Sequence, residues 1–462
     1  MLFPTLAFGL FFLVVFLLNW LTRPHELIWK IAMFGASLFF YGWWNWRFVF
    51  LLMWAISSNW LVGTQIDKNL HAGRKQLATN WMRTAIVGDL LLLGVFKYYD
   101  FFAVELSNIL GGTAAIPLLE LTLPVGISFF TFQAMSYVID LHRRVIKPMP
   151  MLDFAVYLSF FPQLVAGPIV RASEMAPQIT KRPDPRRVAS GEAFHLILRG
   201  LFKKVVISSW LASAIVDDVF SNPESYSSQD VLVGVYGYAI QIYADFSGYT
   251  DIAIGVALLL GFKFPTNFDR PYSALSLREF WTRWHITLSS WLRDYLYIPL
   301  GGNRGKKTDT YRNLLITMIL GGLWHGSTWN FVIWGLIHGL ALAVERMLPN
   351  QQTRPVVRWF VTFHIVCFAW IFFRADSLSS ALDVLRAIAS PPSSGELSSA
   401  FLILVLTAML IAQFLPYSRS EDLKRWLNKQ KILTQGLAFG FGLVLIDLFG
   451  PEGVAPFIYF QF

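Results

Sequence analysis

The chain has 462 residues, of which 55% are hydrophobic and 15% are charged, and it carries 41 Phe and 18 Trp. Soluble proteins carry roughly 25% charged residues, so this composition excludes an ordinary soluble enzyme and indicates an integral membrane protein. A net charge of +9 would suggest nucleic-acid binding in a soluble protein. Here the basic residues fall between apolar runs, which is typical of the positive-inside asymmetry of membrane proteins. We expect membrane lipids as surroundings and no nucleic-acid partner.

Long apolar runs recur along the chain, and alternating strand patterns are absent. Because a spanning helix needs about 20 mostly apolar residues, the runs predict an all-α polytopic fold with roughly eleven transmembrane helices. In chain order the runs are Leu2 to Leu21, Trp29 to Trp44, Phe48 to Gly63, Thr84 to Phe102, Leu121 to Leu141, Val205 through Gly261, Asn313 to Val344, Val356 to Phe373, Ser399 to Leu415 and Leu433 to Phe449. The first run lacks a basic segment and a small-residue cleavage site, so we expect an uncleaved helix.

Three basic stretches between these runs are predicted as cytosolic loops: Asp67 to Arg83, Lys263 to Arg312 and Arg419 to Lys431. No repeat and no low-complexity segment is found, and we expect one membrane domain over residues 1–462. Cys367 is the only cysteine, which excludes an internal disulfide and a thiol-based metal cluster. We expect no metal site and no bound cofactor.

The segment from Tyr157 to Arg171 is apolar but too short to cross a membrane, and Pro162, Gly167 and Pro168 interrupt it. Proline removes a backbone donor and clashes with the preceding helical turn. Broken backbone at membrane depth persists only when protein buries it or when it lines a wet cavity. We predict a re-entrant segment, and the alternative is an ordinary span that kinks and ends at Pro168.

The segment from Ser276 to Tyr297 predicts one amphipathic helix lying in the membrane interface. Residues at spacings of three, four and seven form one face. They are Phe280, Trp281, Trp284, Leu288, Trp291, Leu292 and Tyr295. We expect this face at headgroup depth and the arginines toward water or phosphate. The Gly-rich basic stretch Leu300 to Arg312 follows. We expect it to form either a cytosolic binding surface for an anionic donor or a plain positive-inside loop.

His325 differs from the other histidines because it lies near the middle of the apolar stretch Asn313 to Val344. An ionisable group at membrane depth is a functional-site hypothesis by default. Glycines on both sides permit close approach of a substrate or another backbone, and Ser327, Thr328 and Asn330 supply hydrogen-bonding groups. The alternative is a histidine that only joins two helices.

Among the other histidines, His285 lies on the aromatic face of the predicted interfacial helix, as a second catalytic group or as a structural one. His338 and His364 are expected to bond nearby backbone carbonyls. No G-x-S-x-G nucleophile motif accompanies His325 or His285, and His325 has no further metal ligand within one helical turn. What remains is an imidazole that can act as a general base toward a hydroxyl group, as acyl transfer from a thioester requires.

Several long motifs together resemble the membrane-bound O-acyltransferases, in the branch of the bacterial alginate, cellulose and peptidoglycan O-acetylation proteins. The matching segments are Pro124 to Arg144, Ser159 to Arg171, Ile242 to Gly255, Phe280 to Gly305, Gly321 to Gly339 and Trp370 to Ser377. The similarity covers about residues 36–377, which we expect to form the acyltransferase core, and leaves generically apolar C-terminal helices over 378–462.

The resemblance implies that His325 is the family's catalytic histidine and that His285 is its second histidine. It also implies a central tunnel through the bilayer, with an acyl thioester such as acetyl-CoA arriving from the cytosol and a hydroxyl acceptor from the far side. Along this path we place Trp324, Asn330, Trp284, Asp245, Tyr249, Arg283 and Arg304. Asp245 and Tyr249 are expected at the tunnel wall, with packing as the alternative, whereas Arg283 and Arg304 are expected to contact donor phosphates, with a solvated surface as the alternative.

The resemblance further implies a multi-pass protein of the bacterial inner membrane that works with periplasmic acetyl-acceptor or transferase proteins and a polysaccharide secretion complex. The function it favours is O-acetylation of an exopolysaccharide. D-alanyl transfer to teichoic acid, a transporter or flippase of an acylated carrier, and a non-catalytic scaffold are the competing hypotheses. Whether His325 acts as a general base or forms an acyl-imidazole stays open.

Overall fold

The computed structural model describes residues 1–111, 116–181, 183–348, 354–391, 397–451 and 458. Within these ranges the regular elements are helices, and no strand is present, which confirms the predicted all-helical class. Four of the helices are long and apolar enough to cross a membrane: Phe48–His71, Ser228–Leu259, Pro355–Arg374 and Ile432–Phe449. The larger number of crossings and the central tunnel remain predictions.

The described chain divides into two compact units, the first consisting of Met1–Ala193 and Ala253–Pro265. Its helices are α1 (Leu6–Thr22), α2 (Glu26–Gly42), α3 (Phe48–His71), α4 (Lys75–Leu93), α5 (Tyr99–Ile109), α6 (Ile127–His142), α7 (Met151–Ser159), α8 (Phe161–Leu164) and α9 (Ala172–Thr180). Almost every residue of α6 and α7 is buried, so these two helices form the centre of the unit. The prediction of a single membrane domain stays a prediction.

The predicted break between Tyr157 and Arg171 is present in this unit, since α7 ends at Ser159 and only the single turn α8 follows. The broken backbone is buried in protein, where the side chains of Tyr157 and Gln163 bind it. Tyr157 Oη donates to the carbonyl oxygen of Val170 at 3.0 Å, and Gln163 Nε2 donates to that of Tyr157 at 2.7 Å. Internal hydrogen bonds thus replace the helical ones, as membrane-depth backbone requires.

The second unit consists of Phe194–Ile252 and Thr266–Phe462. Its helices are α10 (Ser190–Leu201), α11 (Ser209–Leu211), α12 (Asp217–Ser221), α13 (Ser228–Leu259), α14 (Leu277–Arg283), α15 (Ile286–Leu292), α16 (Lys307–His325), α17 (Trp329–Met347), α18 (Pro355–Arg374), α19 (Leu378–Ala389), α20 (Ala400–Ile411), α21 (Tyr417–Asn428) and α22 (Ile432–Phe449). Helix α10 begins, and α13 ends, in residues of the first unit. The end of the predicted C-terminal region, 452–457 and 459–462, lies outside the described residues.

The apolar stretch Asn313 to Val344 is not one continuous helix but forms a helical hairpin with His325 at its tip, and the depth of His325 in the membrane stays a prediction. Helix α16 ends at His325, three residues leave the helix, and α17 begins at Trp329 and packs back along α16. The seam is built on glycine. A Cβ on Gly322 would lie 2.1 Å from the carbonyl oxygen of Phe331, and one on Gly335 would lie 2.4 Å from that of Met318. Small residues permit such close backbone contact.

The segment from Ser276 to Tyr297 is also broken, and the prediction of one continuous interfacial helix was wrong. Helix α14 ends at Arg283 and α15 begins at Ile286, because His285 adopts a left-handed backbone conformation with φ of 42°. The aromatic face packs inside the protein, and its depth in the membrane stays a prediction. Phe280 and Trp284 are each 1% exposed, and Trp291 is 4% exposed.

Two of the predicted cytosolic loops are largely helical. Helix α3 extends to His71 and α4 begins at Lys75, so only a short turn remains of the loop Asp67 to Arg83. Most of Arg419 to Lys431 lies in α21. Charged and amide residues with long side chains are good helix formers, so a polar stretch need not end a helix.

Candidate active site

His325 ends α16 at the tip of the hairpin and is enclosed by aromatic rings. The ring centroids of Trp324, Trp334 and Phe373 lie 5.0, 5.1 and 5.1 Å from that of the imidazole, each at a steep interplanar angle. His325 is 4% exposed. The tip is crowded, since a Cβ on Gly326 would lie 1.9 Å from a ring carbon of Phe331. Helix α16 thus ends at His325, and the residue that follows has no room for a side chain.

His285 lies in the break between α14 and α15 and is 1% exposed. Its Nδ1 lies 3.1 Å from Oδ1 of Asn267, and its ring packs edge-on against Phe246, with centroids 4.7 Å apart. Its Nε2 has no hydrogen-bond partner in the described part of the chain. This site lies outside the four candidate spans, and burial lowers the pKa of His285 to about 3. The imidazole is therefore neutral at physiological pH.

Trp324 joins the two histidines. Its ring centroid lies 5.9 Å from that of His285 and 5.0 Å from that of His325. A second aromatic path runs from Trp284 to Trp370 at 5.0 Å, and from Trp370 to Trp334 at 5.9 Å. The structure thus brings Trp284, His285, Trp324 and His325, four of the residues predicted for the site, into one apolar and water-poor cluster. A low-dielectric setting strengthens electrostatic interactions with a reacting group.

Asn330, predicted on the substrate path, forms a link within the protein. It is 1% exposed, and its Nδ2 donates to the carbonyl oxygen of Ala375 at 2.6 Å. The amide therefore ties the first turn of α17 to the residue that follows α18. This contact holds the tip of the hairpin beside Phe373, and the contact of Asn330 with a substrate remains a prediction.

Asp245 is saturated by protein groups. Its Oδ1 pairs with Nζ of Lys204 and accepts from Ser208 Oγ at 3.1 Å, and its Oδ2 accepts from the backbone N–H of Ile458 at 3.0 Å. Six residues further along α13, Asp251 pairs with Lys203 and also accepts two bonds from Arg199. These contacts favour the packing alternative for Asp245. Tyr249 is 1% exposed in the same helix.

The two arginines predicted at the donor end differ in their surroundings. Arg283 pairs with Glu279 at 2.7 Å, and its guanidinium also reaches the carbonyl oxygen of Asp269 at 3.4 Å. Arg304 is exposed in the turn after Tyr297, where its backbone N–H donates to the carbonyl oxygen of Gly301 at 3.0 Å. Arg283 is thus engaged in holding the loop before α14, and phosphate binding remains a prediction for both.

Two residues of this region were missed or misjudged from the sequence. Asn267 was not singled out, although its side chain holds the break at His285. His338 was expected to bond a backbone carbonyl, which was wrong. It is fully buried, neither ring nitrogen has a partner among the described residues, and the rings of Trp281 and Trp334 lie 5.0 and 4.9 Å away. The expected carbonyl bond is present at His364, whose Nδ1 lies 2.8 Å from the oxygen of Phe360.

Over the described ranges, no group of three or more His, Cys, Asp or Glu side chains is arranged to hold a metal ion. Cys367 is buried in α18. The chemistry available at the site is therefore that of two imidazoles, indole N–H groups and the backbone. Such a set can exchange protons with a hydroxyl group and exclude water from a reactive ester or thioester.

A helical membrane protein with a histidine at the tip of a buried hairpin and a second one beside it fits a membrane-embedded transferase. The profile of MBOAT, the membrane-bound O-acyltransferase family, matches residues 31–378 of the chain. The chain therefore belongs to this family, and it is an O-acyltransferase and a multi-pass membrane protein.

Among its relatives, the chain is 40% identical over 394 residues to a peptidoglycan O-acetyltransferase of Helicobacter pylori, covering 78% of this chain and 73% of the relative. It is 40% identical over 400 residues to the probable alginate O-acetylase AlgI of Pseudomonas aeruginosa, covering 84% and 75%. A teichoic acid D-alanyltransferase of Streptococcus thermophilus is more distant, at 28% identity over 280 residues, covering 54% of this chain and 68% of the relative.

Proposed function

We propose that the chain takes an acetyl group from a cytosolic thioester, such as acetyl-CoA, and passes it across the membrane to a hydroxyl acceptor for O-acetylation of an exopolysaccharide. The observation that carries the proposal is the enclosure of His325 at the hairpin tip, with His285 on the other side of Trp324. The two named relatives at 40% identity support acetyl as the group transferred.

In the proposed reaction, His325 removes the proton from the acceptor hydroxyl, and the oxygen attacks the acetyl carbonyl carbon. The carbon–sulfur bond of the thioester then breaks, and the proton passes from the imidazole to the departing thiolate, which leaves as a thiol. One ester forms for each thioester consumed. The aromatic enclosure excludes water, which would otherwise compete with the acceptor as nucleophile. The variant in which His325 first takes the acetyl group obeys the same balance.

The distribution of basic residues supports a proposed orientation of the protein in the membrane. The basic stretch between α13 and α16, which includes Arg283 and Arg304, is proposed to face the cytosol and the anionic donor. The acceptor would then arrive from the periplasm of a bacterial inner membrane. Because a polysaccharide is too wide for a narrow tunnel, the proposed acceptor is a hydroxyl of a periplasmic partner protein or of another small carrier, working beside a secretion complex.

D-alanyl transfer is the second candidate for the group moved, and the more distant relative supports it. In that reaction the donor would be a carrier-protein thioester. The two candidates differ in an observable way, because an aminoacyl ester adds a primary amine to its acceptor whereas an acetyl ester does not. A flippase would move an acylated carrier without making a new ester.

The test is the ester content of secreted polysaccharides in a deletion strain complemented with the wild-type gene, His325→Ala or His325→Gln. Gly436→Ala is the matched control, because a Cβ there would meet nothing within 4 Å. All four proteins must be present in the membrane in equal amounts. We expect acetylation to return with wild type and Gly436→Ala, and to fall about 100-fold or more in both histidine variants, since general-base catalysis contributes about that much.

Three results would overturn the proposal. Full acetylation by either histidine variant would show that His325 is a packing residue. Release of D-alanine in place of acetate on mild alkaline treatment would replace the acetyl donor by an aminoacyl one. A transporter would be indicated if the purified wild-type protein with its partners and labelled acetyl-CoA formed no ester, yet moved an acylated carrier.

A further inference from the structure

The break between α14 and α15 is organised around one side chain, Asn267. Its Oδ1 accepts from the backbone N–H of Thr287 at 3.1 Å and from Thr287 Oγ1 at 2.9 Å, and it lies 3.1 Å from Nδ1 of His285. Asn267 is itself 1% exposed, and its backbone oxygen accepts from the N–H of Ile286 at 2.9 Å. Asn267 thus holds three consecutive residues at the start of α15, His285 and Thr287 through its side-chain oxygen and Ile286 through its backbone oxygen.

These contacts determine which nitrogen of His285 carries the proton. A backbone N–H can only donate, so the amide atom that faces Thr287 must be the oxygen of Asn267 and not its nitrogen. The same oxygen faces Nδ1 of His285. Because a carbonyl oxygen can only accept, Nδ1 must carry the proton, and the neutral ring then has its lone pair on Nε2.

The backbone at His285 supports a functional reading of this arrangement. A non-glycine residue in the left-handed region costs of order 1 kcal/mol and persists where the surroundings over-determine it. Here φ is 42°, and the bonds to Asn267 supply the constraint. Nε2 of the same ring, buried at 1% exposure, lacks a protein partner within the described ranges. A buried nitrogen without a partner is costly unless another molecule supplies one.

We propose that Asn267 is a positioning residue that holds His285 as the Nδ1–H tautomer, so that Nε2 meets the substrate as a hydrogen-bond acceptor. The ligand group that fits is therefore an O–H or N–H donor of the substrate. In this tautomer the single N–H of His285 is bonded to Asn267 and cannot donate to the oxyanion that develops on the acetyl carbonyl, so that donor must come from elsewhere in the site. This inference states which nitrogen of His285 accepts a hydrogen bond from the substrate. It rests on the proposed function only for the identity of that substrate.

Among the described residues, the side chains packed on the ring of His285 are Phe246, Phe268 and Trp324, and none of them is charged. Burial alone lowers the pKa of His285 to about 3. On the surrounding elements Arg278 of α14 is exposed, and the other charged groups form ion pairs. The pairs are Glu279 with Arg283 on α14, Asp269 with Arg270 before it, and Asp245 with Lys204 and Asp251 with Lys203 at α13.

The direct test is solid-state nitrogen NMR of the full chain in lipid bilayers with labelled histidine. A protonated ring nitrogen and a bare one differ widely in chemical shift, and the spectrum of His285→Gln identifies the signals of His285. We expect a protonated Nδ1 and a bare Nε2 at pH 7. A protonated Nε2 would overturn the proposal. This measurement needs no turnover, so it stands or falls independently of the acetyl-transfer assay.

The kinetic test uses Asn267→Asp, which keeps an oxygen toward both Thr287 and His285. A carboxylate beside an imidazole raises the pKa of the imidazole by about one to three units. Protonated His285 can no longer accept, so turnover of the variant should fall more steeply than that of wild type as pH drops from 7 to 5, and its acidic limb should shift to higher pH.

The matched control is Asn313→Asp, since Asn313 is also 1% exposed and binds the carbonyl oxygen of Gly302 at 3.1 Å. It should leave the acidic limb at its wild-type position, whatever its effect on the amount of folded protein. Asn267→Leu removes the acceptor and should release the tautomer preference in the NMR spectrum. An unshifted acidic limb in Asn267→Asp, or an unchanged tautomer in Asn267→Leu, would reduce Asn267 to a structural residue.

Discussion

The α-carbon of Gly322 faces the carbonyl oxygen of Phe331 so closely that a Cβ would lie 2.1 Å from that oxygen. Both residues are part of the hairpin that carries His325. The contact lies about one helical turn before the imidazole on α16 and near the start of α17. The position of His325 therefore depends on a seam that accepts no added methyl group.

The first prediction concerns this seam. Gly322→Ala should push α17 away from α16 and lower both the thermal midpoint of the protein and its acetyl transfer. Overpacking of this kind costs about 1–3 kcal/mol. Gly436→Ala is the matched control in α22, where the added Cβ meets nothing within 4 Å. Scanning fluorimetry of both variants in detergent decides the matter, and an unchanged midpoint in Gly322→Ala would contradict it.

The second prediction concerns the buried pair of Lys204 and Asp245, whose side chains are 2% and 3% exposed. Lys204→Met should leave the carboxylate without its cation and destabilise the protein by about 3 kcal/mol or more, because an uncompensated buried charge is costly. Lys204→Met combined with Asp245→Asn should recover part of that loss. The two variants are compared by thermal unfolding in detergent.

The exposed pair of Arg425 and Asp422 provides the control for that comparison, since its side chains are 70% and 67% exposed. Arg425→Met should change stability by less than about 1 kcal/mol. If Lys204→Met behaved like Arg425→Met, the assignment of the buried pair as a structural element would be wrong.

The third prediction concerns His338. Its two ring nitrogens lack partners within the described residues, and a buried polar group without a partner costs about 1–3 kcal/mol. His338→Phe should therefore raise the thermal midpoint. The same change at His364 should lower it, because that ring bonds Tyr236 Oη and the oxygen of Phe360. A fall in both variants would contradict the prediction and would indicate that His338 bonds a buried water.

The fourth prediction concerns the pH dependence of stability. Burial lowers the pKa of His285 to about 3 in the folded protein, against an ordinary value of about 6.5 in the unfolded chain. Between these values the unfolded chain binds the additional proton, so this residue makes stability fall as pH drops below about 6.5. His285→Gln should flatten the decline of the thermal midpoint between pH 7.5 and 5.5. An equally steep decline in the variant would count against the lowered pKa.

The sequence predicted the helical class and the break near Pro162, because composition and proline are local signals. It also singled out His325 as a lone imidazole in an apolar run, and the catalytic role of this residue stays a prediction. It did not predict the hairpin. Gly326, Ser327 and Thr328 interrupt the run where the chain reverses, but the close contacts of Gly322 and Gly335 are what show that the two halves pack against each other. Those contacts join residues distant in sequence, which no local pattern reports.

The site around His285 shows the same division. Helical spacing placed His285 on an aromatic face, and the ring is indeed packed among aromatic side chains. The break itself depends on Asn267, which lies 18 residues earlier in the chain. Likewise, the partner of Asp245 could have been sought in the adjacent lysines Lys203 and Lys204, just before the apolar run that begins at Val205, since buried charges are usually paired. Their register on the facing helices needed the structure.

The glycine contacts between α16 and α17 also limit which parts of the site can change in sequence. Because the backbones of α16 and α17 are in contact, the hairpin that carries His325 is rigid, and the imidazole cannot move to follow different substrates. At a fixed imidazole of this kind, the donor and the acceptor must both be brought to the same position. Adaptation to a new acceptor or a new acyl chain would then arise by substitution of the aromatic side chains around His325, while the hairpin backbone stays unchanged.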